Sequence, residues 1–201
     1  MIFHSATLLH VNSLQFVIMK NRCSDKAMIT SIKDFENRKI RVTWTLLLAC
    51  FNSNKVLVDS TYESRFISED EIINYAISYL NISSNPKVVS LAFDAREPEE
   101  IINILQQLSR EENSDYSLEF RKFRAMYVYK NLPSISDDFM HGILRISEIW
   151  GKFGFPDDSP NIYFKFKDYS PKNFKKLLEI NNNWVISEFT NLKVDLGSSY
   201  E

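Results

Sequence analysis

From residue 67 onward the apolar positions recur mainly at three- and four-residue spacing, the period of an amphipathic helix. In EIINYAISYL, Ile72, Ile73, Ala76, Ile77 and Leu80 share one face. Ser68 stands three residues before Glu71, the spacing at which two side chains reciprocally cap a helix start. Asn85-Pro86 reads as the cap and first residue of a helix through KVVSLAF. Pro98, Glu99 and Glu100 open IINILQQL, with carboxylates at the positive end of the helix. Asp115 precedes YSLEFRKFRAMYVYKNL, which Pro133 stops. Ser136, with Asp137 and Asp138, caps the helix that runs through HGILRISEIWGKF. Gly154 then suits a left-handed cap, and Pro156 blocks continuation. Ser170-Pro171 opens a last helix through NFKKLLEINNNWVISEF, with a break expected at residues 181–183.

The pattern predicts an all-α fold, a compact bundle of six to seven amphipathic helices. Two short stretches read as strands. They are residues 55–58 and residues 162–166, where Ile162, Phe164 and Phe166 alternate with Tyr163 and Lys165. Residues 1–27 fit this pattern poorly and are set aside as an N-terminal extension, either an extra element or an upstream extension of the reading frame. Met28 reads as a natural start, and residues 28–201 as a single helical domain.

The stretch SEIWGKFGFPDDSPNIYFKF (147–166) concentrates aromatics, Gly and Pro. Its order is helix, Gly154 stop, Pro156, polar turn and aromatic run. That predicts a chain reversal that packs Trp150, Phe153 and Phe155 on the core, and makes a catalytic role for Asp157 and Asp158 the weaker reading.

Composition narrows the function. A chain of 201 residues, 44% hydrophobic, is long enough for a core that needs no staples. Four Gly leave no Gly-rich phosphate loop, so no nucleotide cofactor is expected. The only His are His4, His10 and His141, and the only Cys are Cys23 and Cys50. Neither set has metal-ligand spacing, and no nucleophile or zinc-hydrolase motif occurs. No catalytic residue, metal or small-molecule substrate is therefore expected. Two Cys without a basic leader suggest a reduced, cytoplasmic setting. No apolar run is long enough for a membrane helix.

Net charge is −2, which argues against a general nucleic-acid binder. The charge is nevertheless segregated. Residues 94–119 carry eight acids against Arg96 and Arg110, a net −6. Residues 20–41 and 161–177 are each net +4, from seven bases with three acids and from five Lys with one Asp. Solvated helix faces account for much of this. The sharper reading is an acidic face for a basic partner, carried by Asp94, Glu97, Glu99, Glu100, Glu111, Glu112 and Asp115. In KFKDYSPKNFKK, Phe interleaves with Lys as in nucleic-acid sites, but helical spacing assigns Phe174 and Leu177 to the core.

Several segments together resemble a family of bacterial proteins of unknown function. They are VTWTLLLACF, ISEDEIINYAISYL, KVVSLAF, EEIINILQQL and ILRISEIWGKFGFPDD, and the resemblance covers about residues 33–192. The most specific element is a late W-x-x-F-G-aromatic-P-acid motif, here Trp150, Phe153, Gly154, Phe155, Pro156 and Asp157. The segment NSNKVLVDSTYESRF (52–66) is longer than that pattern expects. Small families of this kind resemble immunity proteins encoded beside polymorphic or contact-dependent toxins. The resemblance implies a cytoplasmic protein that binds one cognate toxin domain, often a nuclease, and blocks it. It brings no catalytic residue. The alternatives from other classes are a non-catalytic adaptor or structural subunit, and an enzyme with an unfamiliar site.

Overall fold

A computed structural model describes residues 31–51, 66–163 and 170–193. The all-α expectation holds. Among the described residues there are eight α-helices, two 3-10 turns and no strand. The helices are α1 (Ile32–Asn37), α2 (Trp44–Phe51), α3 (Glu69–Tyr79), α4 (Pro86–Phe93), α5 (Pro98–Glu112), α6 (Tyr116–Asn131), α7 (Phe139–Gly151) and α8 (Pro171–Asn191). The 3-10 turns are Leu132–Ser134 and Pro160–Tyr163.

The described residues group into two units: residues 31–130 with 184–193, and residues 131–183. The larger unit is built on α2. All eight of its residues are buried, which an apolar run without amphipathic period dictates. Thr43 caps it, its Oγ1 accepting from the Leu46 N–H at 3.0 Å. α5 packs along α2, and α3, α4 and α5 pack each on the next. Their buried stripes are Ile72 and Ala76, then Val88, Leu91 and Ala92, then Ile101, Leu105 and Leu108. Trp44 meets the edges of Tyr75 and Tyr79, at centroid distances of 5.2 and 5.0 Å. The Arg121 guanidinium grips the Glu188 carboxylate bidentately, at 2.8 and 3.0 Å.

The smaller unit pairs α7 with residues 171–183 of α8. Ile146, Ile149, Trp150, Phe153, Phe174 and Leu177 form its core. Gly142 is required there. A Cβ on it would lie 2.1 Å from the Phe174 ring and 2.7 Å from the Ser136 carbonyl.

Most expected caps are in place. Ser68 accepts from the Glu71 N–H at 3.2 Å, and Asn85 from the Lys87 N–H at 2.9 Å. Glu71 itself reaches elsewhere, accepting from the Ile32 N–H at the start of α1 at 3.3 Å. Asp138, not Ser136, caps α7, accepting from the His141 N–H at 2.9 Å.

Three expectations need correcting. There are eight helices among the described residues, not six or seven, because α1 is only six residues long and α2 carries no polar face. The break at residues 181–183 does not occur, and α8 runs unbroken from Pro171 to Asn191. Ile162 and Tyr163 belong to the 3-10 turn Pro160–Tyr163 and not to a strand. Residues 164–166, the expected strand at 55–58 and the extension 1–27 lie outside the described residues.

Candidate functional site

The W-x-x-F-G-aromatic-P motif ends α7. Trp150 is fully buried, and its indole N–H donates to Asn181 Oδ1 at 2.7 Å. The Asn181 amide donates in turn to Asn161 Oδ1 at 3.1 Å and to the Leu177 carbonyl at 2.8 Å. Asn181 thus sits mid-helix because it satisfies a buried indole and returns a hydrogen bond to its own helix. Gly154 (φ 69°) and Phe155 (φ 52°) are both left-handed, and the Phe155 N–H closes on the Trp150 carbonyl at 3.1 Å. Pro156 follows. The motif is therefore a helix stop with a satisfied polar core beneath it. His141 is exposed and pairs its Nδ1 with Asp138 at 2.6 Å, as part of a helix cap. No group of three or more metal-ligating side chains occurs among the described residues.

The seven candidate acids all lie in the larger unit, and they divide in two. Asp94, Glu97, Glu99 and Glu100 surround the α4–α5 corner, and all four are exposed. Glu111, Glu112 and Asp115 lie at the far end of α5. Twelve residues separate Glu99 from Glu111, about 18 Å along the axis at 1.5 Å per residue. They form two patches, not one face. Glu119, the eighth acid of the segment, is buried and pairs with Lys122 at 2.7 Å.

The far group is bound into the fold. Glu111 takes hydrogen bonds from Lys87 and from Asn85 (2.9 Å), and these hold its carboxyl below the usual range. Glu112 accepts from the N–H and hydroxyl of Thr45 at 3.3 and 3.4 Å, at the positive N-terminus of α2. Asp115 caps α6 by accepting from the Ser117 N–H at 2.8 Å.

At the corner Glu100 is occupied in this way, in a reciprocal capping box with Glu97, the N-cap of α5. The Glu100 carboxylate accepts from the backbone N–H groups of Arg96 (3.0 Å) and Glu97 (3.1 Å), and both lower its pKa. Ala95 is buried and pins the turn. Arg96 turns its guanidinium back onto the carbonyls of Phe93 and Ala95, closing the end of α4. Asp94, Glu97 and Glu99 enter no ion pair among the described residues. Asp94 also stands at the C-terminus of α4, where the helix dipole disfavours an acid.

Beside these acids stands a feature that the charge pattern did not disclose. Phe93 is 55% and Val89 39% exposed, on the flank of α4 opposite its buried stripe. The available signal was KVVSLAF itself. It has apolar residues at 88, 89, 91, 92 and 93, more than one helical face can bury.

The described residues define an all-α protein, with no helix among them long and apolar enough to cross a membrane. Residues 32–191 match the model of a family described as an uncharacterized protein conserved in bacteria (DUF2247), and the chain belongs to that family. The match begins with the first residue of α1 and ends with the last of α8. No curated protein and no solved structure matches the chain.

Proposed function

We propose that this protein is a non-catalytic immunity protein of the bacterial cytoplasm, which binds one cognate toxin domain and covers its active site. The observation that supports this reading best is the α4–α5 corner, with three exposed acids that no ion pair engages. A nuclease domain, whose active-site surface carries Lys and Arg for phosphate, is the class of toxin such a corner fits. Inhibition is steric, with the acids steering association and fixing orientation. The family's bacterial distribution accords with this.

The test is survival. The C-terminal domain encoded by the gene immediately upstream is induced in a sensitive bacterium, with and without this protein. Restored survival and co-purification are expected. Killing that continues regardless, or a harmless upstream product, overturns the reading. Reversing Asp94, Glu97 and Glu99 together should slow association and weaken protection. Glu100, Glu111, Glu112 and Asp115 are left intact in that variant because they hold helix ends and turns together, and reversing only Asp94 and Glu99 tests the same charge with the Glu97 cap of α5 kept.

A further inference from the structure

We infer that the partner is anchored on the exposed stripe of α4, with the Phe93 ring inserted into an apolar cleft of a basic protein surface. This rests on the immunity reading and names the contact within it. Pro86, Val89 and Phe93 stand at i, i+3 and i+7, so they form one stripe along the helix. All three are exposed, while Val88, Leu91 and Ala92 bury the other side. Isolated exposed apolar residues are ordinary on protein surfaces. Here three align, and the last is an aromatic ring, the side-chain type that most often dominates binding when a pocket closes over it.

The charges beside the ring select the occupant. Asp94 follows Phe93 directly, and Glu97 and Glu99 lie just beyond it. Arg96, the one base among them, is committed to backbone carbonyls. A partner with Lys and Arg around an apolar cleft satisfies both ring and rim. A second copy of this chain fits poorly, because a two-fold contact through the stripe would bring the same acids face to face. An anionic membrane surface meets the same repulsion.

The experiment measures affinity for the purified upstream-encoded toxin domain, in an inactive form, at low and moderate salt. Wild type, Phe93→Ser and the triple variant Asp94→Lys, Glu97→Lys, Glu99→Lys are compared, with circular dichroism and melting checked for each. Phe93→Ser should raise Kd tenfold or more and leave the salt dependence largely unchanged. The triple variant should slow association and flatten the salt dependence. If wild type binds and Phe93→Ser binds equally well, the anchor is wrong while the immunity reading stands. If wild type neither binds nor protects, the immunity reading fails, and the anchor with it. If sedimentation shows a wild-type dimer that Phe93→Ser dissociates, the occupant is a second copy and the inference is overturned.

Discussion

Two helix ends in this protein carry an aromatic residue to opposite fates. At the end of α7, Trp150 is fully buried and its one polar atom is satisfied by Asn181, which is itself satisfied by Asn161 and Leu177. At the end of α4, Phe93 is left more than half in water beside three acids without ion pairs. The first end is the more conspicuous in sequence, with Trp, Phe, Gly and Pro in close order. Its Trp150, Phe153 and Gly154 are accounted for by folding, while Phe155, expected on the core, is only half-buried. The second end looks plain in sequence, and folding does not account for it. Conspicuous composition marks a place that is hard to build, whereas a residue that weakens the fold's own logic marks a place kept for something else.

The largest expected effect breaks the comparison at its buried side. Trp150→Ala removes the indole and leaves the Asn181 carbonyl oxygen without its buried donor. The expected loss is about 3–5 kcal/mol, read from denaturant unfolding. A loss below about 1 kcal/mol would show that this end is not structural, and the contrast with Phe93 would collapse.

Next in size is Gly142→Ala in the same unit. The added methyl meets both the Phe174 ring and the backbone carbonyl of Ser136. Overpacking of this kind costs about 1–3 kcal/mol. A neutral result would mean that the ring and the Ser136 turn both yield easily, and that this core is looser than its contacts indicate.

Tyr75 shows that the larger unit also holds satisfied polar groups away from the corner, here a half-buried hydroxyl. Its hydroxyl donates to the Val42 carbonyl at 3.1 Å. Burial, then the neighbouring Tyr79 and Glu112, push its pKa up to about 12 from 10.0. The folded state therefore holds this proton more tightly than the unfolded chain. The contribution is complete below pH 10 and is lost as pH rises toward about 12. Unfolding midpoints across that window should fall, and Tyr75→Phe should flatten the fall. An unchanged slope would assign the alkaline loss to other groups.

Much of the fold was legible because the signals were local. Ser68, Asn85 and Asp115 cap helices where short-range spacing placed them, and Gly154 adopts the left-handed cap. What escaped was long-range. Asn181–Asn183 reads as a helix break, since Asn disfavours helix interiors, yet Asn181 answers an indole thirty-one residues earlier in the chain. α2 was missed as an amphipathic helix because it has no exposed side. Within the candidate site, charge segregation found the corner acids. It could not separate them from Glu111, Glu112 and Asp115, whose partners Lys87 and Thr45 and whose capping role appear only on folding. Phe93 was not singled out, because periodicity cannot tell a residue at the edge of an apolar stripe from one inside it.

The smallest expected effect on stability completes the comparison from its exposed side. Phe93→Ser deletes an aromatic ring, a change that in a core costs several kcal/mol. Here more than half of the residue is already in water. The backbone it sits on is held by Arg96 through the Phe93 carbonyl, a contact independent of the side chain. Stability should therefore shift by less than about 0.5 kcal/mol, within the range of ordinary surface substitutions. A loss of about 2 kcal/mol or more would place the ring in the fold's own packing and remove the reason to look for a partner there. A negligible loss, together with weakened binding of the toxin domain, would separate the two functions of aromatic residues in this chain: Trp150 holds the smaller unit together, and Phe93 is held ready on the larger one.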